Sequence, residues 1–142
     1  MSASIHFFYE GVDFRLKAVR NTKIWIKEVT AAENKKIGEL NYIFCSDEIL
    51  SQINLQYLQH DTLTDIITFK ASDDDNLIEG DIFISVERVE ENAEKFKVHF
   101  SQELHRVIIH GVLHLVGYSD KTSSQKRIMR GKEDAYLSLR TF

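Results

Sequence analysis

The chain has 142 residues, the size of a single domain that can bury a hydrophobic core. Its 43% hydrophobic and 28% charged residues exclude a disordered or fibrous protein, and no stretch approaches the roughly 20 apolar residues that a membrane-spanning helix requires. The net charge of −4 gives no general argument for nucleic-acid binding.

The predicted secondary-structure elements follow the order β-α-β-α-β-β-α-α-α. Runs rich in β-branched and aromatic residues predict strands, whereas apolar residues at helical spacing predict helices. Gly38 is a stop signal after the first helix, and Ser46 is typical of the N-cap of the second. In chain order, the pattern predicts a strand over 4–9, a helix over 22–36, a strand over 39–45, a helix over 46–57, strands over 65–69 and 81–85, and helices over 86–96, 101–116 and 123–139.

This order predicts an α+β fold in which a small mixed β-sheet is covered by helices. The chain contains no proline and no Gly/Ser-rich linker, so residues 1–142 are interpreted as a single domain. Cys45 is the only cysteine, and the N-terminus lacks a basic segment followed by a long apolar run. Both observations favour a cytoplasmic protein. Cys45 is interpreted as a small buried hydrophobe, and Trp25, Phe44 and Phe69 as core residues rather than base-stacking platforms.

The segment 110–120 predicts a metal site at the end of a helix in the C-terminal half of the chain. His110 and His114 are four residues apart, so they project from one helix face and can offer two imidazole nitrogens to one metal ion. Gly117 favours the left-handed conformation that ends a helix and reverses the chain, which brings Asp120 back toward the histidines. Three protein ligands and a fourth position open to water are typical of a catalytic zinc site.

The histidine pair has an alternative interpretation as two core residues whose ring nitrogens bind neighbouring groups. Gly117 and Asp120, at their spacing, favour the metal site over this alternative. The spacing also matches the long zinc-protease pattern, but Gly111 stands where that pattern needs a glutamate as general base, which disfavours a peptidase. His105 lies about 140° from His110 around the helix and is not predicted to share the metal.

The sequence resembles the YbeY-type rRNA maturation endoribonucleases over most of its length. The family signature His-Gly-x-Leu-His-Leu-x-Gly-Tyr-Asp-His is matched by residues 110–118, followed by Ser119 and Asp120. Further positions match the family upstream and downstream of this signature: Asn54, Tyr57, Asp61, Thr64, Asp65, Phe69, residues 80–85, Met129 and Glu133.

Two positions depart from the family pattern. The third metal ligand of the family is a histidine, and Asp120 takes its place here; a carboxylate is an accepted zinc ligand, so the site is expected to persist. The family commonly has an arginine, thought to serve cleavage, where this chain has Leu58. His60, two residues further on, is a candidate substitute, and a surface or supporting role is its alternative interpretation.

The resemblance implies a zinc-dependent endoribonuclease with one zinc ion per chain, held by His110, His114 and Asp120. The implied activity is hydrolysis of single-stranded RNA in small-subunit rRNA maturation, with ribosomal RNA or the small ribosomal subunit as partner. No side chain is assigned to the chemical step itself, and His60 is the one weak candidate. The alternative is a non-catalytic ribosome-assembly factor with a structural metal; Leu58 favours it, whereas the open coordination position favours the enzyme.

Positive charge concentrates near the C-terminus, although the chain as a whole is acidic. Lysine and arginine neutralise phosphates, and the candidate RNA-binding residues are therefore Lys121, Lys126, Arg127 and Arg130. The alternative for this segment is an ordinary solvated helix face. Asp65 and Asp81 begin predicted strands and are interpreted as structural, with a role near the active site as the alternative.

Overall fold

The computed structural model describes residues 4–58 and 64–142, and the elements in these ranges follow the predicted order. The strands are β1 (Ser4–Glu10), β2 (Lys36–Cys45), β3 (Ile66–Lys70) and β4 (Leu77–Ser85). The helices are α1 (Val19–Ala32), α2 (Asp47–Leu58), α3 (Val86–Phe96), α4 (Phe100–Val116) and α5 (Ser123–Leu137). The predicted α+β class is confirmed.

The boundary between α1 and β2 differs from the prediction. The sequence pattern predicts a helix to residue 36 and a strand from 39, but α1 ends at Ala32 and β2 begins at Lys36. Asn34 adopts a left-handed φ of 60°, a conformation that ends helices, and Lys36 pairs with Leu77 of β4. Pairing with a distant strand therefore decides where β2 begins.

The sheet is mixed, as predicted, with the strand order β1-β2-β4-β3. Strand β2 pairs in parallel with β1 and β4, whereas β3 pairs with β4 in the antiparallel sense. Parallel neighbours need a long crossover connection, which α1 supplies between β1 and β2. Ile82 and Ile84 of β4 join the main core, and Phe83 between them packs against a smaller core beside α2. Because successive strand residues point to opposite faces, helices cover both faces of the sheet.

Helix α4 lies in the main core and approaches the sheet closely. Ile108 and Leu113 are fully buried on it. At Gly111, an added Cβ would meet two carbons of the Ile82 side chain at 3.0 Å and Cδ1 of Ile66 at 3.1 Å. Position 111 therefore faces the sheet, and its lack of a side chain permits the close packing of α4.

The interpretation of Trp25, Phe44 and Cys45 as buried residues is confirmed, whereas Phe69 is only partly buried. Trp25 and Phe44 lie in the main core, and Phe69 packs against Phe83 at the edge of the smaller one. Cys45 is fully buried, and burial raises the pKa of its thiol to about 12. Within the described ranges, each helix is too short or too polar to span a bilayer.

Candidate metal centre

The last two turns of α4 present two histidine rings on one face of the helix. His110 and His114 are one turn apart, and their ring centroids are 4.5 Å from each other. The helix ends at Gly117, whose φ of 127° lies in the region that favours glycine. The Gly117 and Tyr118 N–H groups both donate to the Leu113 carbonyl, so the chain turns while the last carbonyls stay bonded.

This turn returns Asp120 to the two histidines. Its Oδ2 atom lies 3.3 Å from Nε2 of His110 and 3.5 Å from Nε2 of His114. One ligand atom from each of the three residues lies within 4.8 Å of the others, so the group could hold a metal ion. All three side chains are partly exposed, which leaves the group open to solvent on one side. The structure thus brings together the three residues that the sequence nominates as ligands.

Glu133 of α5 orients His110 from behind. Its Oε2 accepts a hydrogen bond of 2.6 Å from Nδ1 of His110, which leaves Nε2, 3.3 Å from Oδ2 of Asp120, as the ring nitrogen that could bind a metal. Arg106 in turn holds Glu133 with a 2.8 Å bond and Asp134 with a 2.6 Å bond. Burial lowers the pKa of His110, but the hydrogen bond and negative charge of Glu133 outweigh it and raise that pKa overall.

His114 is oriented by the backbone instead. Its Nδ1 donates to the Tyr118 carbonyl at 3.0 Å, so its Nε2 is also free for a ligand bond. Burial, followed by the neighbouring charge of His110, lowers the pKa of His114. Both effects favour the neutral imidazole, which is the form that binds metals.

A cavity of about 340 Å³ adjoins the metal group, and two of the four candidate RNA-binding residues line it. Lys126 and Arg130 line this cavity together with His110 and Asp120. Lys121 and Arg127 are also exposed but are not among the lining residues. Because Lys126 and Arg130 are four residues apart on α5, they share one face of that helix.

The rest of the cavity wall comes from other elements. Phe96, at the end of α3, is half exposed, and Asn92 precedes it by one helical turn on the same wall. Asp65 and Glu103 also line the cavity, and burial raises the pKa of both carboxyl groups. Asp81 is different, because its Oδ1 accepts a 3.1 Å hydrogen bond from Asn41 within the sheet. Both aspartates were predicted to begin strands; Asp65 directly precedes β3 and borders the cavity, whereas Asp81 lies in the middle of β4, which begins at Leu77 rather than at residue 81.

His105 lies away from the metal group. His105 packs between the rings of Trp25 and Phe142 at centroid distances of 5.6 and 5.2 Å, and Arg140 binds its Nδ1. As expected, His105 does not join the metal group. His60 lies outside the described residues.

Sequence reasoning gave Glu133 no role beyond a family match and did not single out Arg106. The hydrogen bond between Glu133 and His110 spans 23 residues of the chain. A glutamate four residues after Met129 carries no local signal for such a contact. The one feature that points to an internal role for Glu133 is its position four residues after Met129, which places both side chains on the same, buried face of α5.

Comparison with known proteins matches the chain along nearly its full length. The sequence model of a family described as Endoribonuclease YbeY matches residues 11–140. A relative of that name from Cytophaga hutchinsonii is 50% identical over 139 residues, covering 98% of this chain and 97% of its own. Another from Flavobacterium psychrophilum is 53% identical over 135 residues, covering 95% of each. The solution structure of a Thermotoga maritima protein aligns with a TM-score of 0.67 and 30% identity, over 94% of this chain and 87% of the other.

Proposed function

The chain belongs to the YbeY endoribonuclease family, and we propose that it is a cytoplasmic zinc-dependent endoribonuclease that cleaves single-stranded RNA in small-subunit rRNA maturation. The names of its relatives support the endoribonuclease activity itself. The observation that carries the metal dependence is the convergence of His110, His114 and Asp120 beside a cavity that is also lined by three cationic side chains, those of Arg106, Lys126 and Arg130.

The donor set fits zinc. Two imidazole nitrogens and one carboxylate oxygen are among the ligands that zinc binds in proteins. Each histidine has its second nitrogen bonded to an acceptor, one to Glu133 and one to the Tyr118 carbonyl, as is usual for zinc-binding histidines. A bound zinc ion supplies a Lewis acid for the phosphoryl group and lowers the pKa of a coordinated water to about 7.

The groups in and around the cavity have separate roles in this proposal. Glu133 and the Tyr118 carbonyl hold the two rings in ligand orientation. Lys126 and Arg130 bind backbone phosphates and place the RNA beside the metal group, because both line the same cavity. Gly111 faces the sheet and provides no general base.

The second candidate is a ribosome-assembly factor in which the metal is structural. One observation favours it: the group lies where α4 meets α5, since His110 of α4 is bonded to Glu133 of α5. A metal ion there would brace the junction of the two helices. The two candidates differ in whether RNA bound in the cavity is cleaved.

The test measures RNA cleavage and RNA retention side by side in protein whose zinc content is known. Wild type is expected to cleave single-stranded RNA, and His114→Ala is expected to lose cleavage together with zinc. If zinc-loaded wild type retains RNA without metal-dependent cleavage, the nuclease proposal fails and the assembly factor stands.

Two charge-reversed double variants test the path of the RNA with a matched control. Lys126→Glu with Arg130→Glu is expected to weaken binding and to reduce the salt dependence by about one unit per lost phosphate contact. Lys121→Glu with Arg127→Glu changes the net charge equally but outside the cavity wall. An equal loss in both variants would indicate general electrostatic attraction and remove Lys126 and Arg130 from the binding site.

A further inference from the structure

A buried carboxylate at the C-terminal end of α1 gathers three donors from the other end of the chain. The side chain of Glu33 is 7% exposed. Its Oε1 accepts a 2.7 Å hydrogen bond from Tyr118, and its Oε2 accepts from Tyr136 and, at 3.1 Å, from Lys132. Burial raises the pKa of Glu33, but these three hydrogen bonds and the Lys132 charge outweigh burial and lower it. Glu33 is therefore an ionised anchor.

One of these donors belongs to the loop that carries a candidate metal ligand. Tyr118 is two residues before Asp120, and its carbonyl accepts the Nδ1 hydrogen bond of His114. Its hydroxyl bonds to Glu33, 85 residues away in the chain. Tyr118 thus connects Glu33 to both His114 and Asp120.

This loop is bonded at each end to the helix that flanks it, by Tyr118 N–H to the Leu113 carbonyl and by the Lys121 and Thr122 N–H groups to Gln125, and the Tyr118 side chain adds the bond to Glu33. Gly117 allows a wide range of backbone conformations, and an added Cβ there would have no heavy atom within 4 Å. Residues 117–122 belong to no helix or strand. The hydrogen bond from the Tyr118 side chain to the buried Glu33 carboxylate restricts the backbone conformation of the loop that follows Gly117.

We propose that Glu33 is a positioning residue for the metal group, acting through Tyr118: it fixes the loop so that the Tyr118 carbonyl orients His114 and Asp120 reaches both imidazoles. The inference rests on the proposed metal site. The competing explanation is that Glu33 only stabilises the fold by joining α1 to α5, since Tyr136 and Lys132 both belong to α5.

The two tyrosines distinguish these explanations. Tyr118→Phe and Tyr136→Phe each remove one hydroxyl from the same carboxylate, but only the first removes the anchor of the loop. For each variant, zinc affinity is measured by competition with a chelator, and the unfolding free energy is measured on metal-free protein. Tyr118→Phe is expected to weaken zinc binding by about 3- to 10-fold, somewhat less than the roughly 10- to 100-fold typical of direct outer partners. Tyr136→Phe is expected to change zinc affinity by less than about twofold at a similar loss of stability.

Two further measurements separate positioning from stability. ¹⁵N NMR of His114 in metal-free protein reports its tautomer, and the Nδ1–H form is expected to lose population in Tyr118→Phe but not in Tyr136→Phe. Glu33→Gln should also weaken zinc binding, and combining it with Tyr118→Phe should add little, because both changes break one connection.

The inference is overturned if both tyrosine variants weaken zinc binding equally, or if neither does while wild type binds zinc. In that case the proposed nuclease function is unaffected. If wild type binds no zinc, the proposed metal site fails, and the role of Glu33 fails with it.

Discussion

Helix α4 carries histidines in two contrasting surroundings, one near its start and one at its end. His105 lies among the aromatic rings of Trp25 and Phe142, with a cation, Arg140, as its polar neighbour. Burial and the charge of Arg140 lower the pKa of His105 to about 4. His110, by contrast, has the carboxylates of Glu133 and Asp120 around it, and its pKa is raised.

The cavities at the two ends differ in the same way. The one beside His105 has a volume of about 610 Å³ and contains no acidic side chain among the lining residues that the structure describes, which include the apolar Phe14, Leu16 and Phe100 and the basic Arg15 and Lys17. The one beside His110 is lined by cations and carboxyl groups. The neighbours of each histidine therefore set its pKa and its role. A cation and aromatic rings keep the His105 imidazole neutral in the core, whereas the carboxylate of Glu133 orients the His110 ring for metal binding.

The largest expected difference between the two ends is in metal binding. His114→Ala should lower zinc affinity by more than about 100-fold, since loss of an outer partner alone costs roughly 10- to 100-fold. His105→Gln should leave the affinity unchanged. Elemental analysis after dialysis measures both variants, and retention of full zinc by His114→Ala would remove that residue from the site.

The second expected effect is the pH dependence of stability at the His105 end. The folded-state pKa of about 4 lies below the ordinary 6.5, so the unfolded chain takes up a proton first as the pH falls. His105 therefore contributes stability above pH 6.5 that is lost progressively toward pH 4, by roughly 3 kcal/mol in total.

His105→Gln keeps an acceptor for Arg140 but cannot titrate in this range. Unfolding free energies of wild type and His105→Gln, both measured with a chelator present, should therefore diverge above pH 4 and become parallel above about pH 6.5. Curves that stay parallel from pH 4 to 7 would contradict the neutral state of His105.

The third prediction concerns the carboxylate that orients His110. Glu133→Gln should weaken zinc binding by about 10- to 100-fold, or about 1.4–2.8 kcal/mol, because an amide oxygen is a poorer acceptor for Nδ1–H. Asp134→Asn is the matched control, since Asp134 binds the same arginine but not His110. Equal zinc affinity in wild type and Glu133→Gln would show that Glu133 serves packing only.

The smallest expected effect concerns the aromatic residue in the polar cavity. Phe96 is 51% exposed and lines that cavity, so Phe96→Ala should weaken single-stranded RNA binding by about 5-fold through loss of base stacking. Phe8, at 49% exposure on β1, is the matched control, and Phe8→Ala should leave binding unchanged. Fluorescence anisotropy with a short oligonucleotide measures both, and equal losses would count against a stacking role.

The sequence by itself determined the order of elements and the nominated ligands. Helical and strand periodicities are local, so the β-α-β-α-β-β-α-α-α order follows from them. His110 and His114 share a face because four residues make about one helical turn. Gly117 and Asp120 follow within six residues of His114, and the turn that joins them is also a local structure.

Only the tertiary structure decided what surrounds those ligands. Glu133 and Glu33 act through hydrogen bonds that span 23 and 85 residues, and no local pattern encodes such contacts. Which of the basic residues near the C-terminus line the cavity depends on how α5 packs against α4, and these are Lys126 and Arg130 rather than Lys121 and Arg127. Likewise, β2 begins at Lys36 because Leu77 of β4 pairs with it. Local backbone geometry determines which side chains project from the same face of a helix. Their hydrogen-bond partners come from distant chain segments, which meet only in the folded protein.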